Sequence, residues 1–319
     1  MRRVVGLTLT GLGAFFFALA LLLRFYVPGQ VIKFPLNEYF VSTLVGDNMT
    51  YFSQHDLTDL AGVTMRATTT LEGDVAAGSS STAVWQQFTA LQDVSNNEPV
   101  SYSSQRLAFD RRSGVLVNCC GAHVGSHTKL QLSGQGYVWP IGTQKKTYQV
   151  FDTTLLKPEP FTYEGSAPID GMTAYKFVEQ VSDQQFGTQT LPGALVGIKN
   201  QASVTLPEYL TETNTFWVDP VTGATLIATE NQTLSLKDST GVTRLILLQG
   251  RLSSTPEATQ SAVNMANSYH LKVNFVEDIG PLVGLLLGIV LLAFGITLLL
   301  NEPDDEELIF QDESEPATA

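Results

Sequence analysis

Two long apolar runs dominate the pattern of hydrophobic and polar positions along the chain. Residues 279–300 and residues 4–23 contain no charged side chain. Each run is about the length that a helix, rising about 1.5 Å per residue, needs to cross ~30 Å of hydrocarbon. A core helix of a soluble domain would carry a polar stripe, which residues 279–300 lack. The pattern therefore predicts two transmembrane helices that flank a long central region.

The central region alternates between apolar and polar positions over short segments, as half-buried strands do. Residues 31–34, 39–43 and 65–71 are predicted strands, with turns at Pro35 and at residues 46–48. The central region therefore predicts a mainly antiparallel β domain.

Two helices are expected within this domain. Val84, Phe88 and Leu91 recur at helical spacing, so residues 81–94 are predicted to be helical. A second helix should begin after Thr255, where a hydroxyl cap, Pro256 and the acidic Glu257 form a typical helix start. This helix would deliver the chain to the second apolar run.

Three hairpins are predicted from turn chemistry. The loops at residues 110–114 and 219–223 run from an aspartate to a glycine, and the loop at residues 237–241 also ends in glycine. The aspartate can bond its own backbone, and the glycine can adopt positive φ, so the chain reverses tightly.

The predicted fold class is a membrane protein of the α+β type, with two transmembrane helices around a β-rich domain. The divisions are residues 1–26 for the first helix, 27–278 for an extracytoplasmic domain, 279–300 for the second helix and 301–319 for an acidic, disordered cytoplasmic tail. The first apolar run exceeds the usual signal core of about 7–15 residues, which favours an uncleaved anchor over a cleaved signal peptide. Arg2 and Arg3 favour a cytoplasmic amino terminus, and with two spans both termini lie in the cytoplasm of a plasma-membrane protein.

Acidic residues outnumber basic ones, 31 to 18, for a formal net charge of −13. The excess lies in the central domain and in the last 19 residues, which hold eight acidic and no basic side chains. A nucleic-acid-binding protein would need a basic surface, so nucleic acid is not an expected partner. The lipid bilayer is.

The only cysteines, Cys119 and Cys120, are adjacent, and His123 and His127 follow them. In an oxidising compartment the two cysteines are expected to form a vicinal disulfide, although free thiols or a bridge between two chains are alternatives. All four side chains are zinc-ligand types, but adjacent cysteines lack the spacing of structural zinc sites. No metal or cofactor is therefore expected.

Motifs of the common enzyme classes are absent from the sequence. It has no phosphate-binding glycine pattern, no Gly-x-Ser-x-Gly elbow and no His-Glu-x-x-His. His55-Asp56 is interpreted as a solvated loop pair, because a triad needs partners from elsewhere in the chain. We therefore expect no enzymatic activity.

Aromatic residues cluster in the predicted strands. They could form an ordinary core, or line a concave sheet face that holds an acyl chain, since pockets for such ligands are mostly apolar. Trp139, Tyr148, Phe151, Phe177 and Trp217 are the candidate lining residues.

Glycines punctuate both apolar runs in small-xxx-small patterns, as at Gly284 and Gly288. Such patterns allow helix backbones to approach closely. The two runs are expected to pack on each other or to form a homo-oligomer.

Four motifs occur in a fixed order along the chain. They are Phe109-Asp110-Arg111-Arg112-Ser113-Gly114, Cys119-Cys120-Gly121, Trp139-Pro140-Ile141-Gly142-Thr143-Gln144-Lys145-Lys146-Thr147-Tyr148 ending at Phe151-Asp152, and Phe216-Trp217-Val218-Asp219-Pro220-Val221-Thr222-Gly223. Together with the two terminal runs, they resemble the actinobacterial porin PorA-like family of envelope proteins over nearly the whole chain. The two-span plan is also similar in architecture to class B scavenger receptors, which carry lipids.

The functional expectation is a non-enzymatic cell-envelope protein whose outer domain binds or transfers a lipid or another apolar envelope component. The alternatives are a structural or interaction protein, and a porin-like channel component as the family name implies.

Overall fold

The computed structural model describes Arg2–Asn301 and divides the chain into two compact units. One unit contains the two chain ends, up to Ile32 and from Leu271, and the other is Lys33–His270. The acidic tail predicted at residues 301–319 lies, apart from Asn301, outside the described residues.

The elements follow one another in a simple order. The helices are α1 (Arg2–Phe25), α2 (Val27–Val31), α3 (Pro256–Asn274) and α4 (Gly280–Leu300), with a 3₁₀ turn at Gly193–Val196 and a π-helical turn at Phe275–Ile279 between α3 and α4. The strands are β1 (Tyr39–Ser53), β2 (Thr58–Gly73), β3 (Thr82–Asp93), β4 (Glu98–Asp110), β5 (Leu116–Val117), β6 (His123–Val124), β7 (Tyr148–Asp152), β8 (Lys157–Ile169), β9 (Met172–Pro192), β10 (Ser203–Val218), β11 (Thr225–Lys237) and β12 (Thr243–Ser254).

In the helical unit, α1 and α4 pack against each other through small residues. A Cβ added to Gly13 would lie 2.6 Å from the backbone nitrogen of Leu292, and one added to Gly288 would lie 2.8 Å from that of Phe17. Larger side chains would therefore force the backbones apart, as expected for small-xxx-small contacts. The two apolar runs thus pair within one chain.

Two helices are long and apolar enough to cross a membrane: α1, and the continuous helical stretch Pro256–Leu300. At the end of α1, the Arg24 guanidinium donates to the Glu277 carbonyl at 2.6 Å and to Asp278 Oδ1 at 3.2 Å. These contacts link the polar end of α1 to the π-helical turn that precedes α4.

The second unit is built on one sheet with antiparallel pairing throughout. Its strand order is β5-β4-β3-β2-β1-β12-β11-β10-β9-β8-β7, and β6 pairs with β4 beside this path. All neighbours except β1 and β12 follow each other directly along the chain. The sheet is therefore two meanders, and the first and last long strands meet at its centre.

A short segment around Gln135 joins the two edges of this sheet. Gln135 forms an antiparallel bridge with Val115, beside β5, and a parallel bridge with Val150 of β7. The Leu116 amide donates to the Gly134 carbonyl at 2.8 Å, and the Gln135 amide donates to the Gln149 carbonyl at 2.7 Å. Through these residues the two edges of the sheet are joined, and the edge strands gain backbone hydrogen-bond partners.

Clusters of buried apolar residues lie against the sheet and under α3. The edge closure is visible in the packing, because Phe151 of β7 shares a cluster with Trp85 and Phe109 of β3 and β4. The inner face of α3, including Ala262 and Val263, packs on residues of β9 and β11. The Thr255 hydroxyl accepts a hydrogen bond from the Ala258 amide at 3.1 Å, which confirms the predicted cap of this helix.

Three local predictions are wrong. Residues 81–94 contain strand β3, because pairing with β2 on one side and β4 on the other outweighs the helical spacing of their apolar residues. Residues 46–48 do not end a strand; they form a bulge within β1, where Asn48 has a φ of 56° and the register shifts. Residues 31–34 are the end of α2 and an irregular segment.

The hairpin predictions are confirmed. The loops at residues 110–114 and 219–223 have the expected aspartate hydrogen bonds, and Gly114 and Gly223 have φ values of 69° and 74°. Tight turns joining long strands therefore account for most of the connections in the sheet.

Candidate functional site

The aromatic residues proposed to line a ligand pocket are mostly core residues. Trp139, Tyr148, Phe151 and Phe177 are buried, whereas Trp217 is partly buried. The Trp139 and Phe177 rings stack with centroids 4.3 Å apart, and Tyr148 meets Trp139 edge-on at 5.5 Å. The three rings pack against one another, as aromatic core residues do, and fill the space that a ligand would occupy.

The structure does not gather these five residues at one place. Trp139, Tyr148 and Phe177 share one cluster, with Phe161 among them. Phe151 belongs to the cluster at the joined edges, and Trp217 packs near α3. A groove of about 530 Å³ lies elsewhere, at β2, β3 and β4, and eight of its nine lining residues are of polar types.

Cys119 and Cys120 form a disulfide in the structure. Its surroundings are polar: Arg106 Nε donates to the Cys120 carbonyl at 3.1 Å, and a second nitrogen of the same guanidinium lies 2.7 Å from Asp74 Oδ2. Arg106 also lowers the pKa of Asp74 by its hydrogen bond. His123 contacts the Gly121 carbonyl through Nδ1 at 2.8 Å. The cysteine pair is therefore anchored to β4 through Arg106.

One histidine meets a buried aspartate. His270 Nε2 lies 2.8 Å from Asp219 Oδ2, and the Thr222 hydroxyl donates to the same oxygen at 2.6 Å. In a catalytic triad the histidine stands between the acid and the nucleophile, whereas here Asp219 stands between His270 and Thr222. The arrangement fixes α3 to the β10–β11 turn. His55 and Asp56 are an exposed pair, as predicted.

The unexpected feature is a group of acidic side chains on the face of the sheet that carries Phe177. Asp152 ends β7, Glu179 lies in β9 and Glu212 lies in β10, and one carboxylate oxygen from each falls within 4.8 Å of the others. The strand register places Asn214 opposite both Glu179 and Glu230 of β11. We call Asp152, Glu179, Glu212 and Asn214 the acidic cluster.

Several oxygens of the acidic cluster lack a hydrogen-bond donor. Glu179 is 2% exposed, and its Oε2 accepts a 2.7 Å hydrogen bond from the Asn214 amide nitrogen. Glu179 Oε1, Glu212 Oε1 and Asn214 Oδ1 are buried and have no partner among residues 2–301. Buried polar atoms normally find one, so this cluster calls for a physical explanation.

Burial changes the acidity of these groups. Desolvation raises the pKa of Glu179 to about 7, although the Asn214 hydrogen bond opposes the shift. Desolvation, followed by the interaction with Asp152, raises the pKa of Glu212 to about 9. Burial also raises the pKa of Glu230. Without a compensating cation, the cluster therefore favours protonated carboxyls.

The sequence contained a signal for this cluster. Glu179 follows Phe177 at strand spacing, and Glu212 and Asn214 lie between Leu210 and Phe216 on the same face. Carboxylates at the apolar positions of an alternating strand point into a core. Attention to aromatic residues alone missed this pattern.

The chain combines two long apolar helices with a large antiparallel sheet. A family model described as Porin PorA matches residues 5–297, so the chain belongs to the porin PorA family. The family and the two helices together indicate an envelope membrane protein.

One relative is named Porin PorA and comes from Corynebacterium resistens. It is 39% identical over 61 residues, which are 19% of this chain and 14% of that protein. The chain therefore matches only a small part of this relative's length.

Proposed function

We propose that this protein is a non-enzymatic, membrane-anchored envelope component whose sheet domain acts as an interaction module. In this proposal α1 and α4 cross the plasma membrane with both chain ends in the cytoplasm. The sheet domain then lies on the outer side, where the disulfide between Cys119 and Cys120 persists.

The close packing of the molecule's apolar parts is the observation that carries this proposal. The backbones of α1 and α4 approach so closely at Gly13 and Gly288 that a side chain there would clash. In the sheet domain, the Trp139, Tyr148 and Phe177 rings fill the space between them. An acyl chain could enter among these rings only if the core separated, which favours interaction over lipid transfer.

The polar groove beside the disulfide is the best candidate contact surface. It is lined in part by Phe88, Arg106 and His123. The Phe88 ring is 48% exposed and stacks on Tyr102, which is 64% exposed, with centroids 5.8 Å apart. Exposed aromatic residues beside polar groups are common at protein interfaces.

A porin-like channel is the second candidate, favoured by the family to which the chain belongs. Because α1 and α4 contact each other directly, one copy offers no space for a conduit between them. A channel would therefore require several copies around a shared pore. The lipid-binding hypothesis is the third.

Two measurements on the purified full-length protein separate these functions. Native mass spectrometry with lipid extraction should show protein without a stoichiometric lipid, and planar bilayers should show no discrete conductance. A defined lipid that is lost on unfolding the sheet domain would overturn the proposal in favour of a carrier. Reproducible conductance steps would overturn it in favour of a channel.

A further inference from the structure

We propose that the acidic cluster is a binding site for a divalent cation of calcium size, held by Asp152, Glu179, Glu212 and Asn214. This inference is independent of the proposed interaction function. It concerns side chains that neither the aromatic clusters nor the disulfide region uses.

The geometry fits a single cation. The three carboxylate oxygens lie within 4.8 Å of one another. Calcium binds oxygen ligands at about 2.3–2.6 Å, so two oxygens on opposite sides of the ion are about 4.6–5.2 Å apart. One ion placed between Asp152, Glu179 and Glu212 could therefore contact all three.

Unpartnered oxygens supply the second argument. Only 2% of the Glu179 surface is exposed, yet its Oε1 has no hydrogen-bond donor among the described residues. The same holds for Glu212 Oε1 and for the amide oxygen of Asn214. The Asn214 amide nitrogen donates a hydrogen bond to Glu179, so the Asn214 amide oxygen is free to act as a neutral ligand. Carboxylate and amide oxygens are the ligands that calcium takes in proteins.

The charge of the site also requires compensation. Among residues 2–301, no Lys, Arg or His forms an ion pair with Asp152, Glu179, Glu212 or Glu230. The nearby Glu159 differs, because its Oε1 lies 2.7 Å from Lys157 Nζ. Burying several carboxylates without a cation is costly, and a bound divalent ion removes that cost.

The structure around the acidic cluster orients Asp152 as a ligand and leaves this residue partly exposed. Asp152 uses Oδ1 to accept hydrogen bonds from the Thr154 and Leu155 amides, which fix its orientation in the β7–β8 turn. Asp152 and Glu230 are only partly buried, so the cluster is not fully enclosed. Binding should fall in the range of extracellular calcium modules, with a Kd of about 10⁻⁴–10⁻³ M.

The experiment uses full-length protein in detergent, stripped with a chelator. Titration with CaCl₂ in a calorimeter should show one site, and added CaCl₂ should raise the unfolding temperature. Bound terbium should luminesce when tryptophan is excited, because the Trp139 ring stacks on Phe177, two residues from Glu179 on the same strand face. CaCl₂ should displace the terbium.

Variants test the ligand assignment. Glu179→Gln and Glu212→Gln should each weaken CaCl₂ binding at least tenfold, whereas Glu164→Gln, at a residue of β8 paired with Lys176, should bind as the parent does. If the Gln variants do not fold, the terbium and calorimetric titrations of the unaltered protein still decide. Absence of binding up to 10⁻² M CaCl₂, about tenfold above the weak end of that range, would overturn the proposal. CaCl₂ binding that both folded Gln variants retain would also overturn it. Stability that responds to pH and not to CaCl₂ would overturn it as well, because the site would then be occupied by protons alone.

Discussion

Glu179 and Asn214 face each other on neighbouring strands, and the Asn214 side-chain amide donates a 2.7 Å hydrogen bond to the Glu179 carboxylate. Glu179 Oε1 and Asn214 Oδ1, the only side-chain oxygen of the asparagine, are not reached by any donor among residues 2–301. The pair therefore combines one satisfied contact with two unmet ones in the interior of the sheet. Either protons or a cation must supply what these oxygens lack.

The pH dependence of stability should reveal the acidic cluster in chelator-treated protein. The pKa values of Glu179 and Glu212 are raised from the ordinary 4.5 to about 7 and about 9, so the folded state binds more protons than the unfolded state. Their contribution to stability is complete below pH 4.5 and is lost as the pH rises through about 7 and then about 9. Asp152, Glu159 and Glu230 add to the shifts of one or both groups.

Glu212→Gln should flatten this profile. At pH 9 the variant should be more stable than the parent, because its neutral amide cannot ionise, whereas the buried Glu212 loses its proton as the pH rises through about 9. Urea unfolding, followed by tryptophan fluorescence at several pH values, measures the effect. The exposed Glu72→Gln is the control and should keep the parental slope. An equal slope in the parent and the Glu212 variant would contradict the assignment.

His270→Ala should destabilise the sheet domain by about 1–3 kcal/mol, since it removes a partner from the buried Asp219. His55→Ala, at an exposed loop pair, should leave the unfolding midpoint unchanged. The same urea titration compares both variants. Equal midpoints for all three proteins would show that Asp219 needs only its contacts within the turn.

Gly13→Leu should separate α1 from α4, whereas Gly11→Leu should not, because a Cβ at Gly11 meets nothing within 4 Å. The reporter is the pair Ala20→Cys and Gly284→Cys, since a Cβ at Gly284 would lie 3.3 Å from that of Ala20. Oxidation should join these cysteines in the parent and Gly11 backgrounds, and alkylation followed by mass spectrometry measures the joined fraction. Unchanged joining in the Gly13 background would argue against the close contact.

Gly134→Ala should cost more stability than Gly142→Ala. Both glycines have positive φ, so both substitutions carry backbone strain. Only at Gly134 would the new Cβ also lie 2.5 Å from the Gln149 carbonyl oxygen, at the segment that joins the sheet edges. The difference should be about 1–3 kcal/mol, the typical cost of overpacking. Similar losses at both positions would mean that the edge contact can shift without penalty.

The disulfide between Cys119 and Cys120 should form within a single chain. Mass spectrometry of a non-reduced digest should find one peptide, lighter by two hydrogens than its dithiol form, and alkylation should require prior reduction. Disulfide-linked dimers on a non-reducing gel would show pairing between chains instead. Complete alkylation without reduction would show free thiols.

Local chemistry was sufficient to predict much of the fold. The two long uncharged runs identified the segments that form α1 and α4, and the Asp-to-Gly turns located the hairpins at Gly114 and Gly223. The predictions failed where residues distant in the sequence determine the local structure. Residues 81–94 became a strand because β2 and β4 lie on both sides, and nothing nearby in the sequence reveals those neighbours.

The same limit applies to the candidate site. Glu179 and Glu212 could have been recognised individually as carboxylates at apolar strand positions, but their approach to Asp152 depends on how four strands fold together. The aromatic residues were correctly located in strands, yet sequence cannot show whether rings enclose a space or fill it. The stacking of Trp139 on Phe177 answers that question for this part of the sheet.

The central pairing of β1 with β12 also sets the order of biogenesis. Each meander can form as its strands emerge, but the seam between them joins Leu44 to Ser254 and must wait for nearly the whole domain. The next segment to be synthesised ends in α4, which begins at Gly280. Completion of the sheet and delivery of the second apolar helix to the bilayer therefore come close together in time. A chain that stalls before β12 would expose the unpaired edges of β1 and β11, and such edges invite aggregation.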